Sequence, residues 1–201
     1  MKKKPAVQIF TPANAVTIGR IILLILLAII LPPKSVWLRV LCVSTVPILF
    51  ALDSVDGYIA RHFRCSTRLG GVLDIAGDRI VENALWILLA TFQFVPLWIP
   101  LIILSRGFLT DGIRSVALAK GHSTFSMIRS KTSWWLVASP ASRTSYAVLK
   151  AVLFTMGVSI HCFNFHHLTT LIILFYVILS LTIFQCLLRG YFTVKECLHS
   201  L

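Results

Sequence analysis

Six stretches of this chain are apolar over the length of a bilayer core, and that constraint outranks every other feature of the sequence. They run from about Ala13 to Leu31, Val36 to Ala60, Leu69 to Gln93, Pro96 to Val116, Thr144 to Ile160, and Leu168 to Leu188. A helix of roughly 17–25 mostly apolar residues crosses the hydrocarbon, and a helix satisfies its own backbone hydrogen bonds there. The expected fold is therefore an all-α integral membrane protein of six transmembrane helices, forming a single domain over residues 1–201. Pro32-Pro33 and Pro96 break the chain between spans, because proline cannot continue a helix. The Pro-Pro pair also stands where a signal peptide would carry a small-residue cleavage site, so the first run is expected to be retained. Residues around Val7 to Thr11 read as a short N-terminal interfacial helix.

The basic residues orient the spans. Lys2, Lys3, Lys4, Arg61, Arg64, Arg68, Arg114, Lys120, Arg129, Lys131, Arg143, Arg189 and Lys195 all fall on one side, against Lys34 and Arg39 on the other. Positive residues mark the cytoplasmic face, which places both termini in the cytoplasm and suits a bacterial inner membrane. Trp37 and Trp98 fall at the outer boundary and Trp134-Trp135 near the inner one, as interfacial or packing aromatics. A composition 57% hydrophobic and 13% charged excludes disorder and collagen-like repeats. The net charge, 19 − 7 = +12, invites a nucleic-acid partner, but the bases are spread through loops beside anionic lipid, so none is expected. The five cysteines are scattered without a C-x-x-C pair and indicate neither zinc nor a disulfide framework.

The acids are few and badly placed for a membrane protein. Asp53 and Asp56 stand near the cytoplasmic end of the second span, and Asp74 and Asp78 near the start of the third. Spacings of three and four put each pair on one helix face, and the short connection makes the helices antiparallel neighbours. An ionised Asp at the centre of a span costs roughly 2.5–3.5 kcal/mol, so four cost on the order of 10 kcal/mol before their repulsion. Something cationic must sit among them. Arg61 or Arg79 can serve one or two, but a focus of four carboxylates exceeds them. Carboxylates without His or Cys are hard oxygen ligands that favour Mg²⁺ or Mn²⁺ over Zn²⁺. Gly57, Ala60 and Gly70 lie beside the acids, leaving room for close helix packing or for a flat ligand against the backbone. An ion channel or transporter would also hold charges in the membrane, but its acids would trace a path across rather than gather at one end.

The run Asp53-Ser-Val-Asp56-Gly57-Tyr-Ile-Ala60-Arg61, followed by Gly70, Asp74 and Asp78, resembles the CDP-alcohol phosphotransferase signature D-x-x-D-G-x-x-A-R-x₈-G-x-x-x-D-x-x-x-D at all eight fixed positions. The resemblance implies six helices around a polar cavity open to the cytoplasm, a homodimer, and two divalent ions, Mg²⁺ or Mn²⁺. It also implies transfer of a phosphatidyl group from CDP-diacylglycerol, drawn from membrane lipid, to an alcohol with release of CMP. Asp53, Asp56, Asp74 and Asp78 would be the metal ligands, with Asp78 also the general base on the attacking hydroxyl. Asp56, Gly57, Ala60, Arg61, Thr67 and Gly70 would receive the nucleotide.

The acceptor is read from the cations. Arg106 lies inside the fourth span, and Arg114, two turns on, lies on nearly the same face. With Lys131 or Arg143 from the next loop they would bind the phosphate of a phosphorylated alcohol, since a guanidinium matches phosphate in two parallel hydrogen bonds. This favours glycerol 3-phosphate, with inositol phosphate or another alcohol as the alternative. Pro12, Asn14, Thr17 and Arg20 resemble the Pro-Asn-x-x-Thr-x-x-Arg opening of phosphatidylglycerophosphate synthases, with the proline displaced by one residue. Ser105-Arg106 and Gly112-Ile-Arg114 resemble the same group, although Gly107 stands where that group has Glu, and Arg143-Thr144 alone matches its Gly-Lys-x-Lys-Thr element. Arg20 and Lys150, each inside a span, either face the cavity or reach back to the headgroups. Glu82 extends the Asp74, Asp78 stripe by a turn, as a packing residue or a neighbour of the site.

Overall fold

The computed structural model describes residues 12–62, 68–119 and 133–200. Among them are six α-helices: α1 (Pro12–Ile30), α2 (Val36–His62), α3 (Arg68–Thr91), α4 (Trp98–Ala119), α5 (Pro140–Phe163) and α6 (Thr169–Ser200). A π-helical turn, Trp134–Ala138, precedes α5, and a 3₁₀ turn, Phe165–His167, precedes α6. Val7 to Thr11 lies outside the described residues. Three helices are long and apolar enough to cross a membrane, over Val36–Asp53, Pro140–Phe163 and Thr169–Glu196. α1 is a shorter apolar helix over Asn14–Ile30. α3 carries Asp74, Asp78, Arg79 and Glu82, and α4 carries Arg106, Asp111 and Arg114, charges that lower their hydropathy.

The chain divides into two compact units, residues 1–88 and 89–201. In the first, α1 is built inside out relative to a helix in water. Asn14, Thr17, Arg20, Leu24 and Leu27 form its buried stripe, at the three-and-four spacing of one helix face. Ile18, Ile22, Ile25 and Ile29 are exposed. A polar interior beneath an apolar exterior suits a lipid surround. α3 accommodates this stripe at Gly77, where a Cβ would lie 2.6 Å from Thr17 Cγ2. Gly77→Ala is expected to cost about 1–3 kcal/mol through overpacking, read as a lowered thermal midpoint. Adding Thr17→Ser, which removes that methyl, should recover most of the loss; a midpoint unmoved by the second change would show that the contact is not the cause.

In the second unit, Leu153, Phe154, Val158 and Phe175 form the centre of the α5/α6 packing. Gly157 lets α5 approach Leu89, whose Cδ2 occupies the space a Cβ would need. At the end of the hairpin, Asn164 takes the left-handed conformation and closes α5 by donating its N–H to Ile160. Phe92 stacks on His161 at 3.8 Å and Phe94 on His166 at 5.6 Å.

Two helices depart from the boundaries expected from hydropathy, for identifiable reasons. α5 starts at Pro140 rather than Thr144, because Ser139 caps it by accepting from the Ser142 N–H and Pro140 fits the first turn. α6 continues past Leu188 to Ser200 because its last turns carry polar anchors. Arg189 donates to the carbonyls of Leu136 at 3.4 Å and Val137 at 3.2 Å and to Ser142 Oγ at 2.9 Å. Glu196, buried, accepts from Ser133 Oγ at 2.6 Å. These bonds hold the π-helical turn, with Trp134 and Trp135 exposed, against the end of α6.

Candidate active site

The α2/α3 hairpin delivers the convergence that the spacing of its acids implies. One carboxylate oxygen each from Asp53, Asp74 and Asp78 lies within 4.8 Å of the others. Asp53 sits nine residues, about two and a half turns, before the end of α2, and Asp74 and Asp78 stack on one face of α3. The side chains of Asp56, Gly57, Ala60 and Arg61 lie outside the described residues, although all four positions are helical, and Thr67 lies outside them altogether. Gly70 stands on α3 one turn before Asp74.

The cation on this cluster comes from α1. Arg20 Nη1 donates to Asp53 Oδ1 at 3.0 Å and to Asp78 Oδ1 at 3.1 Å, and Nη2 donates to the same Asp78 oxygen at 3.1 Å. Its side chain is 3% exposed, against 41% for Asp53 and 46% for Asp78, so the guanidinium forms the floor of the cluster and the carboxylates its open side. Of the two hairpin cations that the sequence offers as partners, Arg79 lies 3.9 Å from Glu82, and the side chain of Arg61 lies outside the described residues. Asn14 and Thr17 continue the buried polar stripe above Arg20. The signal for this role was present in the sequence: three polar residues at 14, 17 and 20 share one face of a helix that is otherwise apolar.

With all groups ionised, three carboxylates and one guanidinium sum to −3 + 1 = −2, a charge that a divalent cation neutralises. Oxygens sharing one Mg²⁺ at about 2.1 Å can be no more than about 4.2 Å apart. A cluster spread up to 4.8 Å therefore suits one ion after slight contraction, or a bridged pair about 3.5–4 Å apart. The all-oxygen donor set and its partial exposure both fit Mg²⁺ or Mn²⁺, which retain water ligands.

Of the expected acceptor cations, the side chains of Arg106 and Arg143 are among the described residues. Arg106 is half-buried on α4 and donates from Nη1 to the Cys186 carbonyl at 3.4 Å. Arg143 stands in the first turn of α5 and is exposed. The side chain of Arg114 and all of Lys131 lie outside the described residues. Lys150 lies 4.5 Å from the centre of the Tyr146 ring, a cation–π contact. Arg189, which sequence assigned to charge bias alone, is the clamp on the π-helical turn described above.

Buried polar groups on apolar helices end here in a carboxylate cluster with the donor set of a divalent-cation site. The sequence pattern of the CDP-alcohol phosphatidyltransferase family matches residues 10–129, and the chain belongs to that family. It is similar to the CDP-diacylglycerol--glycerol-3-phosphate 3-phosphatidyltransferase of Bacillus subtilis (strain 168), at 30% identity over 138 residues, covering 63% of this chain and 72% of the relative. The family match takes in α1 to α4, and with them Arg20 and the whole signature from Asp53 to Asp78.

Proposed function

We propose that this protein transfers a phosphatidyl group from CDP-diacylglycerol to glycerol 3-phosphate, releasing CMP. The observation that carries this reading is the meeting of three of the four signature acids within 4.8 Å around a buried arginine. The similarity to the Bacillus subtilis enzyme supports the donor and the acceptor. The same chemistry with inositol phosphate is the second reading, since it rests on the same cations.

Asp53, Asp56, Asp74 and Asp78 would hold two Mg²⁺ or Mn²⁺ ions, which when bound neutralise the donor's pyrophosphate and stabilise CMP as it leaves. Asp78 takes the proton from the attacking acceptor hydroxyl. Arg20 fixes the Asp53 and Asp78 oxygens and keeps one positive charge beneath them when the ions exchange. Gly57, Ala60 and Gly70 admit the cytidine without side-chain obstruction, Asp56 helps hold the nucleotide, and Arg61 with Thr67 contacts its phosphate. Arg106, Arg114, Lys131 and Arg143 receive the acceptor's phosphate. The chain acts as one domain of six spans around a cavity open to the cytoplasm, with an interfacial helix before α1. Its setting is the bacterial inner membrane, with both termini in the cytoplasm and a second copy as its partner in a homodimer.

Purified protein in detergent–lipid micelles containing CDP-diacylglycerol is expected to release CMP with glycerol 3-phosphate and Mg²⁺ or Mn²⁺, and to stop on adding EDTA. Release should fall at least about tenfold when serine replaces the phosphorylated acceptor, since charge-assisted hydrogen bonds to the phosphate are then lost. Equal release with serine would discard the assignment of the four cations. Release undiminished by EDTA would discard the metal role of the carboxylates.

A further inference from the structure

Three histidines gather where the α3–α4 turn meets the α5–α6 turn, in a part of the chain that holds no other charge. Residues 89–105 and 151–188 contain no Asp, Glu, Lys or Arg. His161, half-buried in the last turn of α5, lies flat against Phe92, with ring centres 3.8 Å apart and planes 10° from parallel. His166, exposed on the 3₁₀ turn, stacks on Phe94 at 5.6 Å. Phe92 and Phe94 meet edge to face at 6.1 Å, so the four rings form one continuous set. Phe94 has further holds on the second unit. It packs on Phe175 at 5.0 Å, its N–H donates to the Leu89 carbonyl at 3.1 Å, and its own carbonyl accepts from the Tyr176 hydroxyl at 3.3 Å.

We propose that these stacks are an acid-sensitive clasp between the two turns, closed while His161 and His166 are neutral and loosened when they take up protons. A neutral imidazole packs on phenylalanine as another flat ring. An imidazolium keeps some attraction for the ring face. At His161, however, it stands half out of water, with a second imidazolium on the adjoining stack. The titratable groups around it are His166 and His167 of the 3₁₀ turn, Tyr176 of α6 and Cys162 of α5 itself, and none is an acid that could pair with a histidine cation. The α3–α4 turn, Phe92 to Leu97, has no titratable group. His167 is turned to the Asn164 carbonyl at 3.2 Å. Opening returns the His161 ring to water, so the open form binds protons more readily than the closed one and acid shifts the balance toward it. Phe94 keeps its other holds, and the parts set free are Phe92 and the last turn of α5. On the orientation proposed above both turns face away from the cytoplasm, so the protons sensed are those outside. The clasp itself does not depend on that reading, and its test in detergent has no orientation.

Cys162 supplies the test, since it adjoins His161 and is 6% exposed. The full chain in detergent micelles is treated with a pyridyl disulfide, and the rate of labelling at Cys162 is read by peptide mass spectrometry. His161→Phe keeps a flat ring on Phe92 and cannot take a proton. At about pH 8, above the titration of histidine, the parent and His161→Phe should label at equal rates. At about pH 5 the parent should label about tenfold faster than the variant, the effect of a one-unit difference in proton affinity between open and closed forms. Comparing two proteins at one pH removes the reagent's own pH dependence. His166→Gln, which removes the second charge, should show a smaller acceleration than the parent. Equal rates in parent and His161→Phe at the lower pH, or the same ratio at both, would overturn the proposal. Should His161→Phe fail to fold, hydrogen exchange in the parent decides. Protection of residues 92–97, corrected for intrinsic exchange, should fall on acidification while that of residues 171–181 holds. Protection unchanged in the turn, or lost equally in both segments, would overturn the clasp.

Discussion

Replacing Asp78 by Asn should lower CMP release by about 10²–10⁴-fold, the usual contribution of a general base. Asparagine keeps the shape of the side chain and an oxygen that can accept from Arg20, which approaches Asp78 with both terminal nitrogens. What it loses is the charge and the capacity to take a proton. The weaker ligand set is a separate loss, and it can be separated experimentally by titrating Mn²⁺ to saturation. Asp53→Asn, which removes a metal ligand and no base, should regain much of its activity at high Mn²⁺. Asp78→Asn should not. Substantial turnover by Asp78→Asn at saturating metal would remove the base from Asp78 and leave it as a ligand like its neighbours.

Arg20→Gln should have the largest effect on stability. The guanidinium is almost wholly buried and joins Asp53 to Asp78, so its removal leaves carboxylates facing one another without their cation. Breaking a buried pair costs about 3–5 kcal/mol. The lower end is expected here, about 3 kcal/mol, because solvent reaches both carboxylates and screens them. In EDTA the variant should unfold at a clearly lower temperature than the parent. Mg²⁺ should then raise its midpoint by more than it raises the parent's, since an ion that binds the folded form alone stabilises it by mass action and now meets no competing cation. Equal increments would show that Arg20 and the ions do not share oxygens. Arg20→Lys should fall between, holding the charge while losing the planar fork that spans two carboxylates.

The hairpin acids were legible in the sequence because their meaning lies in spacing. Residues three and four apart share a helix face, and a short connection permits one antiparallel arrangement, so the convergence of Asp53, Asp74 and Asp78 needed no tertiary information. The helix boundaries followed hydropathy wherever burial in lipid alone decides them, as in α1 and α2. They failed where a local polar bond overrides it, at the Ser139 cap and along the last turns of α6. Arg20 is the instructive case. Its position inside an apolar run marked it as important, but whether it turned to the carboxylates or to the headgroups depended on how α1 rolls against α2 and α3, and Gly77 against Thr17 helps set that roll. The placement of Arg106 was hidden for the same reason: a glycine 84 residues later in the chain, at 190, provides the bed for its stem.

The pairing of Arg20 with Asp53 and Asp78 also bears on the order in which the protein can be made. On the six-span reading, α1 leaves the ribosome first and carries a charge that costs about 2.5–3.5 kcal/mol at mid-bilayer, while the carboxylates that neutralise it lie 33 and 58 residues later. Its ten Ile and Leu residues among nineteen repay that cost in part, so it can insert alone, but only as a loosely placed helix. The second and third spans arrive with the opposite imbalance, Asp53, Asp56, Asp74, Asp78 and Glu82 against the neighbouring Arg61 and Arg79. On that reading each part of the first unit is a poor membrane segment alone and a better one beside the other, so α1 settles in its final place only once α2 and α3 bring its counter-charges.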